Sequence, residues 1–190
     1  MYTWGYLKEC ILSKLNLDEE SANQQDFLSR FPYFANEAMT QICSIKPCEK
    51  RFIVNITDEL IGKEIVLPDD FVSFNDDVVT YQADHMISDV GDDYITYGGY
   101  NTIICHYVGE YSVPYNGRWF FFTKELVNAE VISAPADVCD AIPSYVVSQC
   151  YKVDDETKAA IYRNEFEMFL ARLDNTTFRR QRGFNIGGGW

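Results

Sequence analysis

Residues 51–56, Arg51-Phe52-Ile53-Val54-Asn55-Ile56, decide the fold. Phe52, Val54 and Ile56 recur at every second position, which is the signature of a strand with one buried face. Before them the apolar period is helical, and from Glu49 to about Ile132 it stays near two. Lys63–Leu67, Val78–Gln82, Tyr94–Tyr97, Thr102–Val108 and Tyr111–Tyr115 read as further strands. Pro68-Asp69-Asp70-Phe71 reads as a turn or a single helical turn, and Asn75-Asp76-Asp77 as a loop. Gly98-Gly99, Gly109-Glu110 and Asn116-Gly117 punctuate the strands, the last being a tight-turn signal. The region predicts an antiparallel β-meander, and Trp119–Thr123 can add one more strand.

Upstream, Trp4, Leu7, Ile11 and Leu15 lie on one face of a helix over 3–15, with Thr3 placed to cap it. Asp18 or Ser21 caps a second helix, which Pro32 ends or kinks. It restarts as Tyr33–Ser44, with Phe34, Ala35, Ala38, Met39 and Ile42 on one side. Downstream, Val138, Ile142, Tyr145, Val146, Cys150 and Val153 make a stripe that Pro143 interrupts. After an Asp154 or Asp155 cap, Tyr162, Phe166, Phe169, Leu170 and Leu173 give the clearest helix, over 156–173. The predicted class is therefore α+β: N- and C-terminal helices packed as a bundle, a central antiparallel β-meander and an extended C-terminal arm. The predicted organisation is one domain over 1–175, with helices at 3–45 and 137–173 and a β-rich insertion at 49–132, followed by an arm at 176–190.

The chain has 190 residues and a net charge of −13. Such a surface repels phosphate, which argues against tight nucleic-acid binding. Six cysteines include no Cys-x-x-Cys pair. With no secretory signal visible, they predict reduced, mostly buried thiols in a cytoplasmic product. No apolar run approaches the length of a membrane span. The 13 Tyr, 13 Phe and 3 Trp suit either an aromatic core or a partner surface.

Asp69-Asp70, Asp76-Asp77 and Asp92-Asp93 are the residues a metal-dependent hydrolase would use, but each pair falls where the periodicity breaks, as turn and cap aspartates do. Asp154-Asp155 is placed likewise. His106 adjoins Cys105, and strand neighbours face opposite ways, so they make no nucleophile pair. His85 reads as an ordinary core or surface histidine. No Gly-x-Ser-x-Gly, phosphate loop or His-Glu-x-x-His occurs. The reading is a non-enzyme with no catalytic residue, cofactor or metal.

The sharpest change in composition is the tail. Residues 176–190 carry Arg179, Arg180 and Arg182 and no acid, then Gly187-Gly188-Gly189 as a hinge. Phe178, Arg179, Arg180, Arg182, Phe184, Ile186 and Trp190 read as a docking peptide: arginines for acidic groups, apolar side chains for pockets.

Five local strings, in this order of elements, resemble head-to-tail connector (adaptor, or neck) proteins of tailed bacteriophages. They are Phe31-Pro32-Tyr33-Phe34-Ala35-Asn36-Glu37-Ala38, Leu67-Pro68-Asp69-Asp70-Phe71, Ile142-Pro143-Ser144-Tyr145, Asn164-Glu165-Phe166-Glu167 and the closing Gly188-Gly189-Trp190. The resemblance implies a structural virion protein that forms a dodecameric ring below the portal protein. It implies a downstream tail or neck partner, and DNA passing through the lumen without specific binding. Phe178 to Trp190 would then be the portal-docking segment, the helices the subunit contacts and the strands the tail-side face. The strand region is larger than in minimal helical adaptors. A tail terminator or a fibre-attachment protein is the alternative structural role.

Overall fold

The computed structural model describes residues 1–182 other than Gln25, Asp76, Asp84 and His85. Of Asn23, Gln24, Met86 and residues 174–182 it describes the backbone. The chain is α+β and folds as two compact units, residues 1–46 with 119–190, and Pro47–Arg118.

The first unit is helical. α1 (Trp4–Leu15) is capped by Thr3, whose hydroxyl accepts from the Tyr6 N–H, and it buries Trp4, Leu7, Ile11 and Leu15 as the stripe predicts. It ends at Asn16, whose φ of 55° is a left-handed stop that asparagine tolerates. α2 (Glu19–Gln24) starts on Asp18, which accepts from the Ser21 N–H at 2.8 Å. α3 (Phe27–Cys43) continues through Pro32, where the sequence predicts an end or a kink and a restart at Tyr33. Proline removes one hydrogen bond of the helix. Here both Phe31 and Pro32 are buried, and that packing offsets the loss.

α4 (Ala136–Tyr151) likewise continues through Pro143. It is the core of this unit, buried almost all round, and it packs on α1, on α3 and on α5 (Glu156–Arg182). Residues 119–132, which the periodicity places in the β region with a further strand at Trp119–Thr123, instead run along the helices with the two residues that follow them. Asn36 acts as a clamp there: its Nδ2 donates to the Phe122 carbonyl at 2.7 Å and its Oδ1 accepts from the Phe122 N–H at 2.9 Å. Phe122 is buried against Trp4. Backbone bonds from Trp4 and Gly5 to the carbonyls of Glu130 and Asn128 tie the same segment to the start of α1. A Cβ on Gly5 would lie 2.9 Å from the Asn128 carbonyl oxygen, so the approach requires glycine.

The second unit is all strand: β1 (Cys48–Ile56), β2 (Glu64–Val66), β3 (Phe71–Phe74), β4 (Val79–Ala83), β5 (Met86–Val90), β6 (Ile95–Gly98), β7 (Thr102–Cys105) and β8 (Gly109–Gly117). Every pairing is antiparallel, but the order is not a meander. One sheet runs β1-β8-β4-β5 with β3 also on β8, and the other runs β2-β7-β6. The register Phe52↔Val113 and Val54↔Tyr111 puts the alternating residues of β1 on the inner face. They pack on a core of Ile56, Leu67, Phe71, Val79, Ile95, Ile103, Cys105, Tyr111, Val113 and Tyr115.

Asn116-Gly117 is no hairpin turn. It pairs with Glu49 and Cys48, and the Asn116 side chain donates to Ser73 Oγ. Gly109-Glu110 likewise opens β8 instead of turning. Gly109 sits at φ 149°, where a Cβ would meet the Tyr81 ring at 2.6 Å.

Candidate partner interface

α5 begins at Asp155, whose carboxylate accepts from the Lys158 N–H at 3.0 Å. That backbone donor holds the carboxyl below its usual range. The predicted stripe lies inward: Phe166, Leu170 and Leu173 are buried, with Tyr162 and Phe169 half-buried. Tyr162 donates to the Lys14 carbonyl at 3.0 Å, and Lys14 Nζ pairs with Glu165 at 2.8 Å. Arg163 lies over the Tyr145 ring and donates to Gln41 Oε1 at 2.9 Å. On the outer side Ile161 and Met168, seven residues apart and so on one face, are 58% and 59% exposed.

Leu173 is the last buried side chain described on α5. The backbone stays helical to Arg182, so the arm expected to be extended from 176 carries Phe178, Arg179, Arg180 and Arg182 on helix. Positions 179 and 182 fall on one face of it. Phe184, Ile186 and Trp190 lie outside the described residues, as do the side chains of 178–182.

The polar residues singled out for chemistry are scattered. Asp70 accepts from Lys50 Nζ at 2.5 Å and from the Tyr115 hydroxyl at 3.0 Å, a self-contained cluster. Burial, reinforced by Asp70, pushes the Tyr115 phenol up to about 12. Asp77 donates its N–H to Asn75 Oδ1 within a turn, and Asp92 and Asp93 occupy another turn. Asp76 and His85 lie outside the described residues. Among the described residues no three His, Cys, Asp or Glu side chains gather as a metal site would require. Cys105 is buried and its thiol is pushed up to about 11 by burial, while His106 Nε2 lies 2.8 Å from Thr96 Oγ1. None of the six cysteines forms a disulfide, and Cys43, Cys105, Cys139 and Cys150 are buried. Among the described residues no helix is long and apolar enough to cross a membrane.

No known protein family matches the chain, and no curated protein is significantly similar to it.

One feature escapes sequence reasoning altogether. Where α1, α4 and α5 meet, Tyr2, Tyr6, Cys10, Pro143 and Phe169 line a groove of about 230 Å³. Tyr2 precedes α1 and donates its hydroxyl to Asp140 at the groove wall. That bond, together with burial, raises the phenol's pKa. The Tyr2 and Tyr6 rings meet edge-on at 5.3 Å. Tyr2, Tyr6 and Cys10 lie more than 130 residues before Pro143 and Phe169, and no local period brings the two sets together.

Proposed function

We propose that the chain is a structural virion protein, a subunit of a dodecameric ring that joins the capsid portal to the tail. The carrying observation is α5, which stays helical past the buried Leu173 and bears three arginines and no acid over residues 176–182. The chain as a whole carries −13, so this acid-free run is the part suited to an acidic partner surface. Beyond Arg182 the sequence adds Phe184, Ile186 and Trp190 as apolar anchors. The outward Ile161 and Met168 give α5 an apolar strip for neighbouring subunits. The acidic balance suits a lumen through which DNA slides without being gripped. A downstream tail or neck protein is then the partner of the strand unit.

The test is retention of purified chain on assembled portal, full-length beside a chain cut after Asn175. Retention lost on truncation supports the connector role and places the binding energy in residues 176–190. Equal retention moves the contact elsewhere on the subunit. Failure of both chains to bind, with capture by tail-tube or fibre components, favours a tail terminator or a fibre-attachment protein.

A further inference from the structure

We infer that the groove between α1, α4 and α5 is the docking site of Trp190 from the same chain. The argument starts from reach. Phe169, on the groove wall, is 13 positions before Arg182, which is about 20 Å of helix. Trp190 is eight residues on from Arg182, a span of up to about 26 Å when extended. Trp190 therefore gets back to Phe169. Phe184, two residues past Arg182, reaches only about 7 Å, and Ile186 about 13 Å, so neither does. Gly187-Gly188-Gly189 immediately before Trp190 imposes little steric restriction on the path.

The chemistry agrees with the reach. Tyr2, Tyr6, Leu7, Pro143 and Phe169 give the groove aromatic and aliphatic surface beside the charged Lys14 and Asp140, and edge-on contacts from the three rings suit an indole. An indole buried there needs an acceptor for its N–H. Asp140 supplies one, because a carboxylate accepting from Tyr2 keeps further lone pairs. This contact does not depend on the portal reading, since it describes the chain before any partner binds.

Cys10 lines the groove and is half-buried, which makes its thiol a reporter. The experiment follows alkylation of Cys10 by N-ethylmaleimide in the native full chain, site by site by mass spectrometry. Cys48, half-buried in the strand unit, is the internal reference. The expected result is that Trp190→Ala, or a chain ending at Gly189, speeds Cys10 alkylation about tenfold, the scale set by a modest net burial of one aromatic side chain. Cys48 should be unchanged, and Phe184→Ala should leave Cys10 as protected as in the natural chain. Equal Cys10 rates with and without Trp190 overturn the inference. So does protection that grows with protein concentration, which puts a second copy's segment in the groove. Loss of protection in Phe184→Ala to the same degree also overturns it, because reach then fails to select Trp190.

Discussion

The Tyr145 hydroxyl donates to Glu37 Oε2 at 3.1 Å, joining α4 to α3. The two residues belong to two of the strings that carry the resemblance, Ile142-Pro143-Ser144-Tyr145 and Phe31 to Ala38. A third string joins them through α5: the Tyr145 ring lies 5.0 Å from that of Phe166 and beneath the Arg163 guanidinium. These strings, far apart in sequence, thus close one interhelical polar and aromatic junction. Tyr145→Phe keeps the ring and removes the bond, leaving Glu37 without this donor. The expected loss is about 1 kcal/mol, or about 2–4 °C in Tm for a chain of this size. Urea unfolding of Tyr145→Phe beside Glu37→Gln and the double variant checks it; strictly additive losses would show that the pair is not coupled.

The Asn36 clamp predicts a larger effect. It satisfies both backbone groups of the buried Phe122 in a segment with no strand partner of its own. Asn36→Ala strands a buried N–H and a buried carbonyl, each costing about 1–3 kcal/mol when left unmade. Asn36→Asp keeps the acceptor and loses the donor, so it should fall between the two. Amide hydrogen exchange at Phe122 should accelerate most in Asn36→Ala. Unchanged exchange there would mean that the clamp holds nothing.

Gly5→Ala should destabilise, against the usual trend. Within a helix, alanine is ordinarily better than glycine by about 1 kcal/mol. At Gly5 the added Cβ meets the Asn128 carbonyl oxygen at 2.9 Å and Asn128 Cβ at 3.0 Å. The 119–134 segment must then shift away from α1. Thermal unfolding decides the sign, and a raised Tm would refute the close approach.

The helix stripes were legible because each is local: the residues that α1 and α5 bury lie at predicted helical spacing. The prolines misled because the rule that they end helices is local too. Burial of Pro32 and Pro143 is a tertiary matter. Asn116-Gly117 has the composition of a hairpin turn, yet it pairs with β1 and β3, strands more than forty residues away. β5 carries Ser88 and Asp89 among its apolar residues, and β3 follows a turn signal, so neither announces itself. Residues 119–134 look like strand because aromatics favour strands, but their partners are a side-chain amide and the start of α1. The groove depends on three helices meeting and has no counterpart in any one stretch of sequence.

The buried thiols and phenols set an alkaline limit. Burial pushes Cys139 and Cys150 up to about 12 and Cys105 up to about 11, from ordinary values near 9. Tyr111 and Tyr115 are pushed up to about 12 from near 10. Well below pH 9 these groups are protonated in both the folded and the unfolded chain, and they add no pH dependence. Above it the unfolded chain releases protons that the folded chain retains, so it binds fewer, and stability falls as pH rises towards 12. Urea midpoints measured from about pH 8 to about pH 10.5 should therefore be flat at first and then decline. Cys105→Val removes one titrating group from the core of the strand unit and should make the decline shallower. In the native chain at pH 8 the four buried thiols should resist alkylation while Cys48 reacts, and all six should react in urea. A midpoint that holds steady to pH 10.5 would mean that these groups ionise in the folded chain as readily as in water, and that their burial is not maintained at alkaline pH.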